Sequence, residues 1–142
     1  MDANKIKEKI SIIINLYRVK NYEKVISEAN RILKRNPRID LLWNILGLTY
    51  QQKGNFEKAE NNFFRCLQIN PNNISANNNL GNNYKYLFNY SKAEEYFNKA
   101  LEINPNYLNA LVNYGNLKFE LNQFSVSLEL LNKALLLDKK SV

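Results

Sequence analysis

The chain has no histidine and a single cysteine, Cys66. An intramolecular disulfide, a cysteine–histidine zinc site and histidine-based acid–base chemistry are therefore outside its means. No run of eighteen or more apolar residues occurs, which excludes a membrane-spanning helix. The short apolar stretch near the N-terminus is interrupted by Ser11 and Asn15, is flanked by acidic residues and lacks a small-residue cleavage site, so it does not read as a secretion signal. Phosphate-binding glycine loops and metal-ligand clusters are missing, and scattered carboxylates such as Glu94 and Glu95 read as solvated helix charges. These absences predict a reducing, cytoplasmic setting, no cofactor and no catalysis within these residues.

What is present suffices for a core, since a chain of 142 residues typically hides about two-thirds of its unfolded surface. The net charge of +7 is unevenly placed: residues 1–40 hold ten Lys/Arg against five Asp/Glu, and the remaining residues ten against eight. Acidic residues are interspersed throughout, and the basic excess reads as a solvated surface.

One period organises the chain. Gly47, Gly81 and Gly115 stand 34 residues apart, and so do Pro37, Pro71 and Pro105, which are all the prolines there are. Each copy reads as two helices. First helices are expected from Asp40, Ile74 and Leu108 to Gln52, Tyr86 and Glu120; second helices over Phe56–Ile69, Tyr90–Ile103 and Phe124–Leu137. Proline ends the second helix because it lacks an N–H and disfavours helix in the residue before it. A glycine midway along a helix costs up to about 1 kcal/mol relative to alanine, which predicts a close approach of another helix there.

The repeat carries Trp43, Leu46, Gly47, Tyr50, Ala59, Phe63, Cys66 and Pro71 in one copy. The next carries Leu80, Gly81, Tyr84, Ala93, Phe97, Ala100 and Pro105, with Asn77 at the tryptophan site. This pattern resembles the tetratricopeptide repeat (TPR) family. A weaker copy keeps Gly115 and Ala134 but has Lys118, Ser127 and Lys139 at the tyrosine, alanine and proline sites. A degenerate first copy has Ile12, Ile13, Leu16, Val25, Ile32 and Pro37, with Ile13 in place of glycine.

The resemblance implies an all-α fold, a right-handed superhelical solenoid of about four TPR helix-turn-helix units and eight helices. It makes 1–142 a single array, with a degenerate repeat at 6–39 and repeats at 40–73, 74–107 and 108–141. Cys66 falls at a small-residue packing site. Tyr50, Phe56, Phe63, Tyr84, Tyr90, Phe97 and Phe124 fall at core positions, which speaks against a base-stacking stripe and against nucleic acid as the partner.

First helices line the concave side in proteins of this kind. Helical spacing gives that side Leu41, Asn44, Leu48 and Gln52, then Ser75, Asn78, Asn79, Asn82 and Tyr86, then Asn109, Val112, Asn113, Asn116 and Glu120. An asparagine amide has two donors and an acceptor, so it pairs with both halves of a peptide unit without reading side-chain identity. Asn44, Asn78, Asn79, Asn82, Asn109, Asn113 and Asn116 are the candidate peptide-groove residues. The arrangement resembles the asparagine-lined TPR superhelix of the O-linked N-acetylglucosamine transferases. Against this stands the general richness in Asn, Lys and Ile, which AT-rich coding produces without function, and Asn77 is of a type favoured at helix starts. Ile10, Ile14, Asn44, Leu48, Asn78 and Asn82 offer no cationic clamp for a carboxylate.

The last helix has Leu128 and Leu136 where the preceding copy has Glu94 and Glu102, so it is apolar nearly all round and expects burial. Either the chain is a piece of a longer protein whose next repeat covers these leucines, or this surface pairs with a second copy or a partner. The leading functional expectation is a scaffold holding an extended peptide or partner helix in its concave groove. The alternative is the substrate-recruiting segment of a larger glycosyltransferase- or sulfotransferase-like enzyme.

Overall fold

The computed structural model describes residues 2–141, and among them the chain forms eight helices and no strand. They are α1 (Ala3–Arg18), α2 (Tyr22–Leu33), α3 (Asp40–Gln52), α4 (Phe56–Ile69), α5 (Ile74–Tyr86), α6 (Tyr90–Ile103), α7 (Leu108–Glu120) and α8 (Phe124–Lys140). Helix α8 runs three residues beyond its expected end, where no proline stops it. Helix α5 begins at Ile74, so Asn77 lies inside the helix and is buried rather than starting it. Two compact units result, Met1–Asn73 with α1–α4 and Ile74–Val142 with α5–α8. No helix among the described residues is long and apolar enough to cross a membrane.

The turn between the two helices of each pair is built the same way four times. Lys20, Gly54, Phe88 and Asn122 share one repeat position and all have positive φ, between 58° and 75°. The residue after each then donates its backbone N–H back across the helix end, for example Asn89 N to Tyr84 O at 2.9 Å, closing a Schellman turn. That same residue caps the second helix: the side chains of Asn21, Asn55 and Asn89 accept from the backbone N–H of Lys24, Lys58 and Lys92. Part of the asparagine richness thus has a local structural cause. Glycine and asparagine tolerate this left-handed conformation, whereas a bulky side chain there costs about 1–2 kcal/mol. Phe88 is 77% exposed and meets the ring of Tyr90 edge-on, so little offsets that strain. Phe88→Gly should therefore raise stability by about 0.5–1 kcal/mol in urea denaturation, the remainder going to the backbone entropy of glycine.

The mid-helix glycines mark the close approach that their spacing predicts. A Cβ at Gly47 would lie 2.4 Å from the Phe63 ring, and one at Gly81 2.5 Å from the Phe97 ring. Both rings are fully buried. The first unit solves the same problem by exchange: Ile13 replaces the glycine, and Ala29 stands where the next two copies have Phe63 and Phe97. Both are buried in one cluster with Val25, Ile32, Leu42 and Leu46. Volume moves from one helix to the other, and the α1–α2 pairing is the least extensive of the four.

Cys66 is fully buried at the small-residue site of α4. Burial pushes its thiol up to about 12, and the Asp40 carboxylate pushes in the same direction. Since the thiolate is the reactive species, the folded protein should resist a thiol reagent such as dithionitrobenzoate at pH 8 and react fully once unfolded in guanidinium. Rapid labelling without denaturant would contradict this placement.

Of the seven aromatics expected in the core, Phe63, Tyr84 and Phe97 are buried, Tyr50, Phe56 and Tyr90 are half-buried, and one lies outside it. Phe124 is 54% exposed and packs edge-on against Phe119, itself 61% exposed. Both belong to the α7–α8 pair, the last one among the described residues.

Candidate peptide-binding face

In the second unit the first helices α5 and α7 lie against each other, and α7 also packs on α6. Tyr114 of α7 stacks on Phe97 of α6 with ring centroids 5.8 Å apart. Lys118 of α7, only 8% exposed, extends its Nζ to Glu94 Oε1 and to Gln123 Oε1, both at 2.8 Å. Burial opposes its charge, yet the Glu94 hydrogen bond and the nearby Tyr114 outweigh it and hold the ammonium above the ordinary lysine range. Lysine at the tyrosine site is thus a buried cation with a partner supplied by the preceding helix pair.

The face shared by α5 and α7 carries amides. Asn113 Nδ2 donates to Asn78 Oδ1 at 3.1 Å, bridging the two helices, and Lys85 pairs with Glu120 across the same joint at 2.6 Å. Asn79 Nδ2 donates to Ser75 Oγ at 3.3 Å along α5.

The seven candidate groove asparagines divide by burial. Asn44, Asn78 and Asn79 are buried, Asn82 and Asn113 half-buried, Asn109 and Asn116 exposed. Asn77 and Asn83 are buried as well, and among the described residues no buried side-chain nitrogen or oxygen lacks a hydrogen-bond partner. Much of the cluster around Leu80 and Gly81 is therefore a satisfied polar layer inside the fold. Amides that can meet a ligand on this unit are those of Asn82, Asn109, Asn113 and Asn116. Asn113 spends one of its two N–H groups on Asn78. Helical spacing cannot separate these groups, because burial of an α5 side chain depends on which neighbouring helices pack against it.

Leu128 and Leu136 are each 61% exposed, and beside them an open apolar groove of about 380 Å³ runs between α7 and α8.

Comparisons with known proteins agree with this architecture. The family model described as tetratricopeptide repeat matches residues 38–106 and again 72–140. Among solved structures, "Crystal structure of MamA" is 18% identical with a TM-score of 0.82, covering 99% of this chain and 82% of that one. "MamA RS-1 ArsTM double mutant" is 16% identical with a TM-score of 0.79, covering 99% and 79%. "MamA MSR-1 C2" is 21% identical with a TM-score of 0.73, covering 100% and 83%. No curated protein matches the chain in sequence. The shared fold is the all-α TPR solenoid.

Proposed function

Because the chain belongs to the tetratricopeptide repeat family, we propose that it is a non-catalytic scaffold of the cytoplasm that holds an extended peptide on the α5–α7 face by its backbone. The observation that carries this reading is the Asn113–Asn78 hydrogen bond. It fixes an amide in a half-buried place where two helices meet, and Asn82 and Asn116 stand one turn further along each helix. An amide immobilised by a neighbour loses little entropy on binding, so the face is preorganised. Buried Asn78 and Asn79 act behind it, as positioning groups, while the exposed Asn109 extends the row toward the start of α7.

The test is selection of binders from a random displayed peptide library, followed by affinity measurement against the Asn82→Ala, Asn116→Ala double variant. Losing both amides should weaken binding about tenfold or more, the worth of one to two peptide hydrogen bonds. The proposal fails if selected peptides bind the double variant as well as the original chain while its stability is unchanged.

A further inference from the structure

A depression of about 540 Å³ lies within the first unit, between the start of α1 and the loop that joins α2 to α3. Ala3, Ile6, Pro37 and Ile39 make it apolar, with Lys7 on its helix wall and Arg38 on its loop wall. The same joint one repeat later in that unit is closed by hydrogen bonds. There Asp40 stands at the place of Ile6, and its Oδ2 accepts from Asn70 Nδ2 at 2.9 Å and from Asn73 Nδ2 at 3.0 Å. The loop thus holds a carboxylate that the helix supplies. At the earlier joint Asn36, which also lines the depression, takes the place of Asn70 and donates to Ile32 O at 3.3 Å instead. Ile39 replaces Asn73, and Lys7 and Arg38 replace Leu41 and Asn72. The earlier joint has lost the internal carboxylate and gained two cations. Both of its walls are segments of this chain. A helix stacked on α1 as α2 is stacked on α3 would fall on Glu8 and Ile12, the counterparts of the buried Leu42 and Leu46, and not on Ile6 or Lys7.

Charge decides what fits there. The two walling stretches, residues 2–7 and 34–39, hold five cations, Lys5, Lys7, Lys34, Arg35 and Arg38, against one carboxylate, Asp2, which caps α1 by accepting from Asn4 N. All five cations are exposed, and among the described residues none of them makes an ion pair. No aromatic side chain lines the depression, whereas a nucleic-acid base would stack on one. We propose that this depression binds an acidic segment of a partner protein, with one large aliphatic side chain seated on Ile6 and Ile39 and a carboxylate on each side of it meeting Lys7 and Arg38. The aliphatic side chain fixes the position of the segment, and the cations select its charge. A second copy does not supply such a segment, because this chain has no aliphatic residue with a carboxylate on each side. The site is separate from the α5–α7 face and does not rest on the peptide-binding reading.

The experiment uses three fluorescein-labelled synthetic peptides, titrated with the intact protein by fluorescence anisotropy at low salt. The parent has one leucine between pairs of aspartates; the second has serine for the leucine, and the third has asparagine for every aspartate. The parent should bind, and either replacement should weaken it about tenfold or more. Lys7→Gln with Arg38→Gln should weaken the parent about fivefold or more. Lys20→Gln with Lys24→Gln removes the same charge outside the depression and should change binding less than about twofold. All four side chains are exposed, so both double variants should fold unchanged, with circular dichroism as the check. No binding by the parent, equal losses in the two double variants, or indifference to the leucine overturns the proposal. So does a single-stranded oligothymidylate that binds more tightly and displaces the peptide, since a nucleic acid would then be the occupant.

Discussion

Phe97→Ala should lower the stability of the protein by about 3–5 kcal/mol, the range for removing a fully buried phenylalanine. Phe97 stands at the top of that range for two reasons. Its ring lies against Gly81, which has no side chain to move into the vacated space. On its other side it stacks on Tyr114, so the same ring joins α6 both to α5 and to the next helix pair. Domains of this size have only about 5–15 kcal/mol in total, so a large fraction disappears. Urea denaturation followed by circular dichroism gives the value. A loss below about 1 kcal/mol would mean that the cavity collapses and that the joint is not the rigid contact described.

Gly47→Ile should cost about 3 kcal/mol, because a side chain there meets the buried Phe63 ring at once and neither helix can withdraw cheaply. Improved helix propensity returns only about 0.5 kcal/mol of this. The first unit shows a remedy: where Ile13 takes the glycine site, Ala29 takes the phenylalanine site. Phe63→Ala alone should be as damaging as Phe97→Ala, yet Gly47→Ile combined with Phe63→Ala should cost markedly less than the sum of the two single losses. The double-mutant cycle should give a coupling of about 2–3 kcal/mol. Additive losses would show that Ile13 and Ala29 do not exchange volume.

These two contacts also show what was legible in advance. Glycine at a 34-residue interval in otherwise sound helices carries a local penalty that only close packing explains, so the helix pairs and their spans could be read from the residues. The exchange of Ile13 for Ala29 was harder to see, because it is a compensation between two positions and each looks like a plain departure from the repeat. Asparagines were the least legible. Capping by Asn21, Asn55 and Asn89 is a local property of the turn, but Asn78 is held where α7 approaches and its Asn113 donates to it. Spacing alone put Asn78, Asn79, Asn82 and Asn113 on one face; the structure divides that face into a hydrogen-bonded inner layer and an outer row. Spacing also put Phe124 in the core together with Phe56 and Tyr90; that repeat position is half-buried at Phe56 and Tyr90 and exposed at Phe124.

The central claim is that the α5–α7 face reads a backbone. The most direct measurement is a paired scan of one selected peptide, first with each side chain replaced by alanine, then with each backbone amide N-methylated. Backbone recognition predicts that N-methylation at alternate residues weakens binding about tenfold or more, while most alanine substitutions change it less than about threefold. If affinity instead follows two or three side chains and survives N-methylation throughout, the asparagine row does not hold the ligand and the claim is wrong.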